Sequence, residues 1–133
     1  MDRVFLDANA LFSVAYGSKG LRTLWNWARE GRCLLLSSAY AVEEARRNLQ
    51  PRHRAQLAEL IGTMAIVAEA HLAFAELLRL PEKDKPILAA AINARATHLL
   101  TGDLRHFGSL RGQFIQGVLV CTPRDYFDAN PIS

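Results

Sequence analysis

Cysteine is scarce in this chain of 133 residues: there are two, Cys33 and Cys121. Both sit in apolar runs, Cys33-Leu34-Leu35-Leu36 and Val118-Leu119-Val120-Cys121. A disulfide framework or a thiolate zinc site needs more ligands at closer spacing, so both are excluded. Two such thiols read as core filler in a reducing compartment. Long hydrophobic runs are missing as well. No stretch approaches the ~20 apolar residues of a membrane helix. The apolar run near the amino terminus, Val4-Phe5-Leu6, is broken by Asp7, which argues against a signal peptide. A cytoplasmic protein is the expectation. Repeats, low-complexity tracts and linkers are lacking, and the length suits one domain over residues 1–133. There is no Walker loop, no nucleophile elbow and no dinucleotide fingerprint.

What is present is a globular composition, 50% hydrophobic and 22% charged. The net charge is +3, with a pI of about 9.2. That permits contact with a polyanion without requiring it. Short apolar runs alternate with helical periodicity, which predicts βαβ units around a parallel sheet of about five strands. The strands are expected at Val4–Leu6, Cys33–Leu36, Met64–Val67, His98–Thr101 and Val118–Cys121. Between them Leu21, Leu24, Trp25 and Ala28 mark one helix face, and Ile87, Leu88, Ala91 and Ile92 another. A helix is also expected over Leu72–Leu78, and a short last one over Arg124–Phe127. Trp27 falls beside its helix's apolar stripe and is either boundary core or a docking surface.

Four acids fall at comparable places in this pattern. Asp7 closes the first strand and Asp103 follows the fourth. Glu44 lies about two turns into the helix leaving the second strand. Asp84 caps the helix leading into the fourth. In right-handed βαβ units strand ends and helix starts share one edge of the sheet, where ligands bind. Two ionised carboxylates ~5 Å apart repel by about 3 kcal/mol at an effective dielectric of 20. Four together would cost much of a domain's stability of about 5–15 kcal/mol. Either some are protonated or a cation sits among them, and hard oxygen ligands suit Mg²⁺ or Mn²⁺. Such a site can activate water against a phosphodiester.

The same residues carry a family resemblance. Val4-Phe5-Leu6-Asp7-Ala8-Asn9 resembles the opening of PIN domains. Ser38-Ala39-Tyr40-Ala41-Val42-Glu43-Glu44 resembles their second motif, Asp84-Lys85-Pro86-Ile87-Leu88 the third, and Leu99-Leu100-Thr101-Gly102-Asp103 the fourth. Val120-Cys121-Thr122-Pro123 resembles the family's last strand and turn. The match covers nearly the whole chain in order. It implies a three-layer α/β/α domain with sheet order 3-2-1-4-5, which would keep Cys33 and Cys121 apart. It implies an Mg²⁺- or Mn²⁺-dependent endoribonuclease with Asp7, Glu44, Asp84 and Asp103 as catalytic metal ligands. Members of this size are often toxins of toxin–antitoxin pairs, homodimeric and silenced by an antitoxin protein. Some members carry a further acid after the fourth motif, where this chain has Leu104, Arg105 and His106.

Several roles stay open. Glu43 and Glu44 differ by about 100° around a helix, so one of them faces the site; Glu44 is the choice that sends Val42 and Leu49 toward the core. Asn9, Ser38 and Thr101 either hydrogen-bond the carboxylates and a bound water or serve as caps and turns. Arg46, Arg47, Arg52, His53 and Arg54 either track an RNA backbone or form a solvated face. Arg105 and His106 are better placed to touch a scissile phosphate. Two other functions compete: a PIN scaffold that binds RNA or protein without cutting, and a haloacid-dehalogenase-like phosphatase. The latter usually carries Asp-x-Asp, where this chain has Asp7-Ala8-Asn9.

Overall fold

Val4, Phe5 and Leu6 are all fully buried, although successive side chains of a strand point to opposite faces. A strand with no polar face must be covered on both sides, as in parallel sheets packed under helices. The computed structural model describes residues 1–130. Its elements run β1 (Asp2–Leu6), α1 (Ala8–Tyr16), α2 (Lys19–Arg29), β2 (Cys33–Ser38), α3 (Ala39–Arg47), α4 (Pro51–Ile61) and β3 (Ala65–Val67). They continue with α5 (Ala73–Glu76), α6 (Lys85–Asn93), β4 (His98–Leu100), α7 (Leu104–Phe107), β5 (Phe114–Ile115), β6 (Val118–Cys121) and α8 (Pro123–Ala129).

The sheet order is β3-β2-β1-β4-β6-β5. β1 lies between β2 and β4 and pairs with both in parallel, and the β2–β3 and β4–β6 pairs are parallel too. The expected fifth strand is therefore β6, in its expected place. A sixth strand, β5, was not among the five expected. It pairs antiparallel with β6 through a two-residue connection, Ile115 facing Val118. Gln116 and Gly117 both have positive φ, 51° and 87°, which such a tight hairpin requires.

One buried apolar cluster runs from Leu57 and Leu60 on α4 through β1 and β4 to Tyr126 on α8. α1 packs against α2, α3 and α4, and α6 against α3 and β2. Trp27 is core: it is 4% exposed, with the Phe127 ring 5.3 Å away and the Arg32 guanidinium 4.2 Å above it. Cys33 and Cys121 are free and buried, on strands separated by β1 and β4. The helix expected over Leu72–Leu78 is reduced to the single turn of α5.

The parallel arrangement decides where polar groups collect. Asp7 after β1, Ser38 at the end of β2, Asp103 after β4 and Thr122 after β6 each cap the next helix by accepting a backbone N–H. Those caps line one edge of the sheet because their strands point the same way.

Candidate active site

Asp7 is 3% exposed at the end of β1. Its N–H donates to the Leu100 carbonyl on β4 (3.2 Å), and its Oδ1 accepts from the Ala10 N–H at 2.8 Å. One oxygen thus starts α1, and the carboxylate still borders a cleft of about 470 Å³. Glu44, Asp84 and Asp103 border the same cleft. Four acids from separate stretches of the chain share one opening.

The field in the cleft follows from burial and like charge. Burial chiefly raises the Asp7 carboxyl to about 7; the charges of Asp84 and Asp103 add to this, and the Thr101 hydroxyl and Ala10 N–H oppose it. Asp84, 5% exposed, is raised for the same first reason. His106 and Lys83 pull it back, while Glu44 and Asp103 push it further.

Asp84 departs from the expected capping role. It stands at the backbone N-cap of α6, but its side chain makes no capping hydrogen bond. Its Oδ2 is buried and has no hydrogen-bond partner. His106 Nδ1 stands 2.8 Å from this oxygen, an ion-pair contact when the imidazole is protonated. Asp103 is more open. Its Oδ1 accepts from the Arg105 and His106 N–H groups at 3.2 and 3.3 Å, and its Oδ2 lies 3.1 Å from His106 Nδ1.

The two neighbouring glutamates part company. Glu43 is held by Arg46 at 2.7 Å and Arg47 at 3.5 Å, which drops its carboxyl to about 2, mainly through the Arg46 hydrogen bond. Glu44 turns to the cleft, with the Tyr40 hydroxyl 3.5 Å from its Oε1.

The other expected residues divide between the site and its frame. Asn9 borders the cleft, and a Cβ on Gly102 would collide with its side chain, so the loop after β4 passes tight against the start of α1. The Thr101 hydroxyl accepts the Asp103 N–H at 3.0 Å and fixes that loop. Ser38 is fully buried, and its Oγ accepts the Ala41 N–H as a cap. Arg47 borders the cleft; Arg46 is committed to Glu43. Arg54 donates to the Arg46 and Leu49 carbonyls, and the His53 ring lies tilted against Tyr16 with centroids 4.7 Å apart. Arg52 is exposed. Arg105 is exposed, and His106 faces Asp84 and Asp103, not open solvent. Phe12 and Asn48 also line the cleft and were not foreseen. Their helical spacing from Asn9 and Glu44 was the available signal. Among the described residues no three acidic, histidine or cysteine side chains already form a metal-binding group.

A mostly parallel α/β sheet with an acidic cleft at its carboxyl edge defines the class, and the comparisons specify it. The chain belongs to the PIN-domain family, whose model matches residues 3–105. That membership sets the phosphatase reading aside. No curated protein matches the sequence. Among solved structures it is similar to the crystal structure of VapBC2 from Rickettsia felis bound to a DNA fragment from their promoter. The TM-score is 0.64 at 14% identity, over 90% of this chain and 98% of that one. At that identity the likeness is one of fold. Among the described residues no helix is long and apolar enough to cross a membrane.

Proposed function

We propose that the chain is a single PIN unit acting as a metal-dependent endoribonuclease, with Asp7, Glu44, Asp84 and Asp103 holding Mg²⁺ or Mn²⁺. The observation that carries this reading is the shared cleft of the four acids. The burial of Asp84 close to Glu44 and Asp103 supports it, because like charges crowded out of water call for a counter-charge, which His106 at 2.8 Å supplies only when protonated. An all-carboxylate donor set fits a hard divalent ion. A bound ion of this kind would activate water and neutralise phosphoryl charge.

The chain's own residues supply the remainder. The Ala10 N–H orients Asp7, and the Thr101 hydroxyl holds the Asp103 backbone in place. A cleft carboxylate accepts the proton of the attacking water. Lys83 and Arg47 at the cleft's border draw in a phosphate backbone. By family resemblance the products carry 5′-phosphate and 3′-hydroxyl ends. The biological setting in this reading is a cytoplasmic toxin, homodimeric and silenced by an antitoxin protein. The fold shared with one chain of a VapBC2 structure supports it.

A cleavage assay on total RNA tests the chemistry. The wild type should cut with Mn²⁺ or Mg²⁺ and stop in excess chelator. Asp7→Asn and Asp103→Asn should fold yet lose about 10²–10³-fold in rate, the scale of removing one preorganised electrostatic group. Unimpaired cleavage by either variant would falsify the proposal.

A further inference from the structure

His106 lies in α7, three residues after Asp103. That spacing puts two side chains on one helix face. Its Nδ1 approaches two carboxylate oxygens from different parts of the chain, Asp103 Oδ2 at 3.1 Å and Asp84 Oδ2 at 2.8 Å. Both are ion-pair distances when the imidazole is protonated; as the neutral tautomer with its proton on Nε2, the ring instead offers a lone pair at Nδ1. The spacing matches another arrangement. Adjacent ligands of an octahedral ion, each ~2.1 Å from it, stand about 3.0 Å apart. The imidazole is also well placed for the task, with its side chain only 24% exposed and tied to the loop that Thr101 fixes.

We propose that His106 Nδ1 is a ligand of the metal site beside Asp84 and Asp103. The site then prefers Mn²⁺, or a neighbouring transition ion, over Mg²⁺. This rests on the metal-site reading above and changes its donor chemistry from all-oxygen to mixed nitrogen and oxygen. Imidazole is an ordinary ligand of first-row transition ions, whereas Mg²⁺ favours oxygen. The nearby Lys83 and Arg47 have no lone pair to offer, so the histidine is the basic residue here that can serve as ligand as well as neighbour.

Pulsed electron paramagnetic resonance on the Mn²⁺-loaded full chain tests this, because it detects nitrogen bonded directly to the ion. The wild type should show imidazole nitrogen coupling. His106→Gln should lose it, and His53→Gln should keep it. Direct titration should show Mn²⁺ affinity falling ~10-fold or more in His106→Gln. Mg²⁺ affinity should change by less than about 3-fold, because that ion gains little from a nitrogen donor. His106→Asp, with circular dichroism to confirm folding, should also lose the coupling and shift the preference toward Mg²⁺; it decides the matter if the glutamine variant does not fold. Bound Mn²⁺ without nitrogen coupling in the wild type, or coupling that persists in both His106 variants, overturns the role of His106 and leaves the four-acid reading standing. No Mn²⁺ binding at all overturns both.

Discussion

The two ends of the central strands treat buried polar groups in opposite ways. At the amino end of β1, the Tyr126 hydroxyl donates to Asp2 at 2.7 Å. The Thr97 hydroxyl accepts the Arg3 N–H at 2.9 Å, and the Arg3 guanidinium donates to the Ala94 carbonyl at 2.9 Å. Arg3 Nε alone goes unmatched there among the described buried side-chain atoms. At the carboxyl end, burial first and neighbouring acids second raise the carboxyls of Asp7 and Asp84, and the unmatched atom is a carboxyl oxygen with His106 Nδ1 2.8 Å away. The first end pairs complementary groups within the fold, Arg3 Nε apart. The second crowds like charges out of water, and groups perturbed in that way cluster at functional sites.

The sharpest way to break this contrast is to remove charge from the carboxyl end. The folded Asp7 carboxyl titrates near 7 and its ordinary value is 3.8, so the native state keeps a proton that the unfolded chain gives up. Its contribution to stability is therefore whole below about pH 4 and declines as pH rises through 7, by up to about 4 kcal/mol. In chelator, Asp7→Asn should abolish that decline and be the more stable protein at pH 8. Urea unfolding of both proteins at pH 4 and pH 8 checks it. An equal pH dependence in the two proteins would show that Asp7 is not the strained group.

Opposite behaviour is expected at the amino end. Tyr126→Phe removes a donor to a carboxylate and should cost about 1.5–3 kcal/mol in urea midpoints, with RNA cleavage unchanged. Ser38→Ala probes a residue that lies at the site's edge yet is fully engaged as a cap. It should lose about 1 kcal/mol and keep cleavage; a collapse in cleavage at intact fold would move Ser38 into the site. Arg46→Ala should leave the urea midpoint nearly unchanged, since its pair with Glu43 is solvent-exposed. Its effect on cleavage should be smaller than that of Arg47→Ala, because Arg47 alone of the two borders the cleft.

How much could be read beforehand depended on the range of the interaction. Short apolar runs such as Val118-Leu119-Val120-Cys121, bounded by turn residues, announced the strands. β5 was hidden: two residues carry no periodicity, and Phe114 is 71% exposed. Its only trace was Gln116-Gly117, an uncommon hairpin pair. Three acids stood out by position, since Asp7 and Asp103 follow strands and Asp84 opens a helix; Glu44 lies inside α3. The choice of Glu44 over Glu43 rested on helix geometry, and the ion pairs of Glu43 with Arg46 and Arg47 agree with it. Trp27 was ambiguous because its covering partners, Tyr126 and Phe127, come from the far end of the chain. His106 could be tied to Asp103 by spacing alone, but its approach to Asp84 could not be foreseen.

The amino-acid order by itself determined the strands, the caps at their ends and the collection of acids along one edge. Those features depend on local periodicity and on strands running parallel. Tertiary structure decided which polar atom was left without a partner and which side chain came to stand over it. The burial of Asp84 and the placement of His106 against it depend on the fold bringing the start of α6 to α7, and no spacing within either segment records that distance.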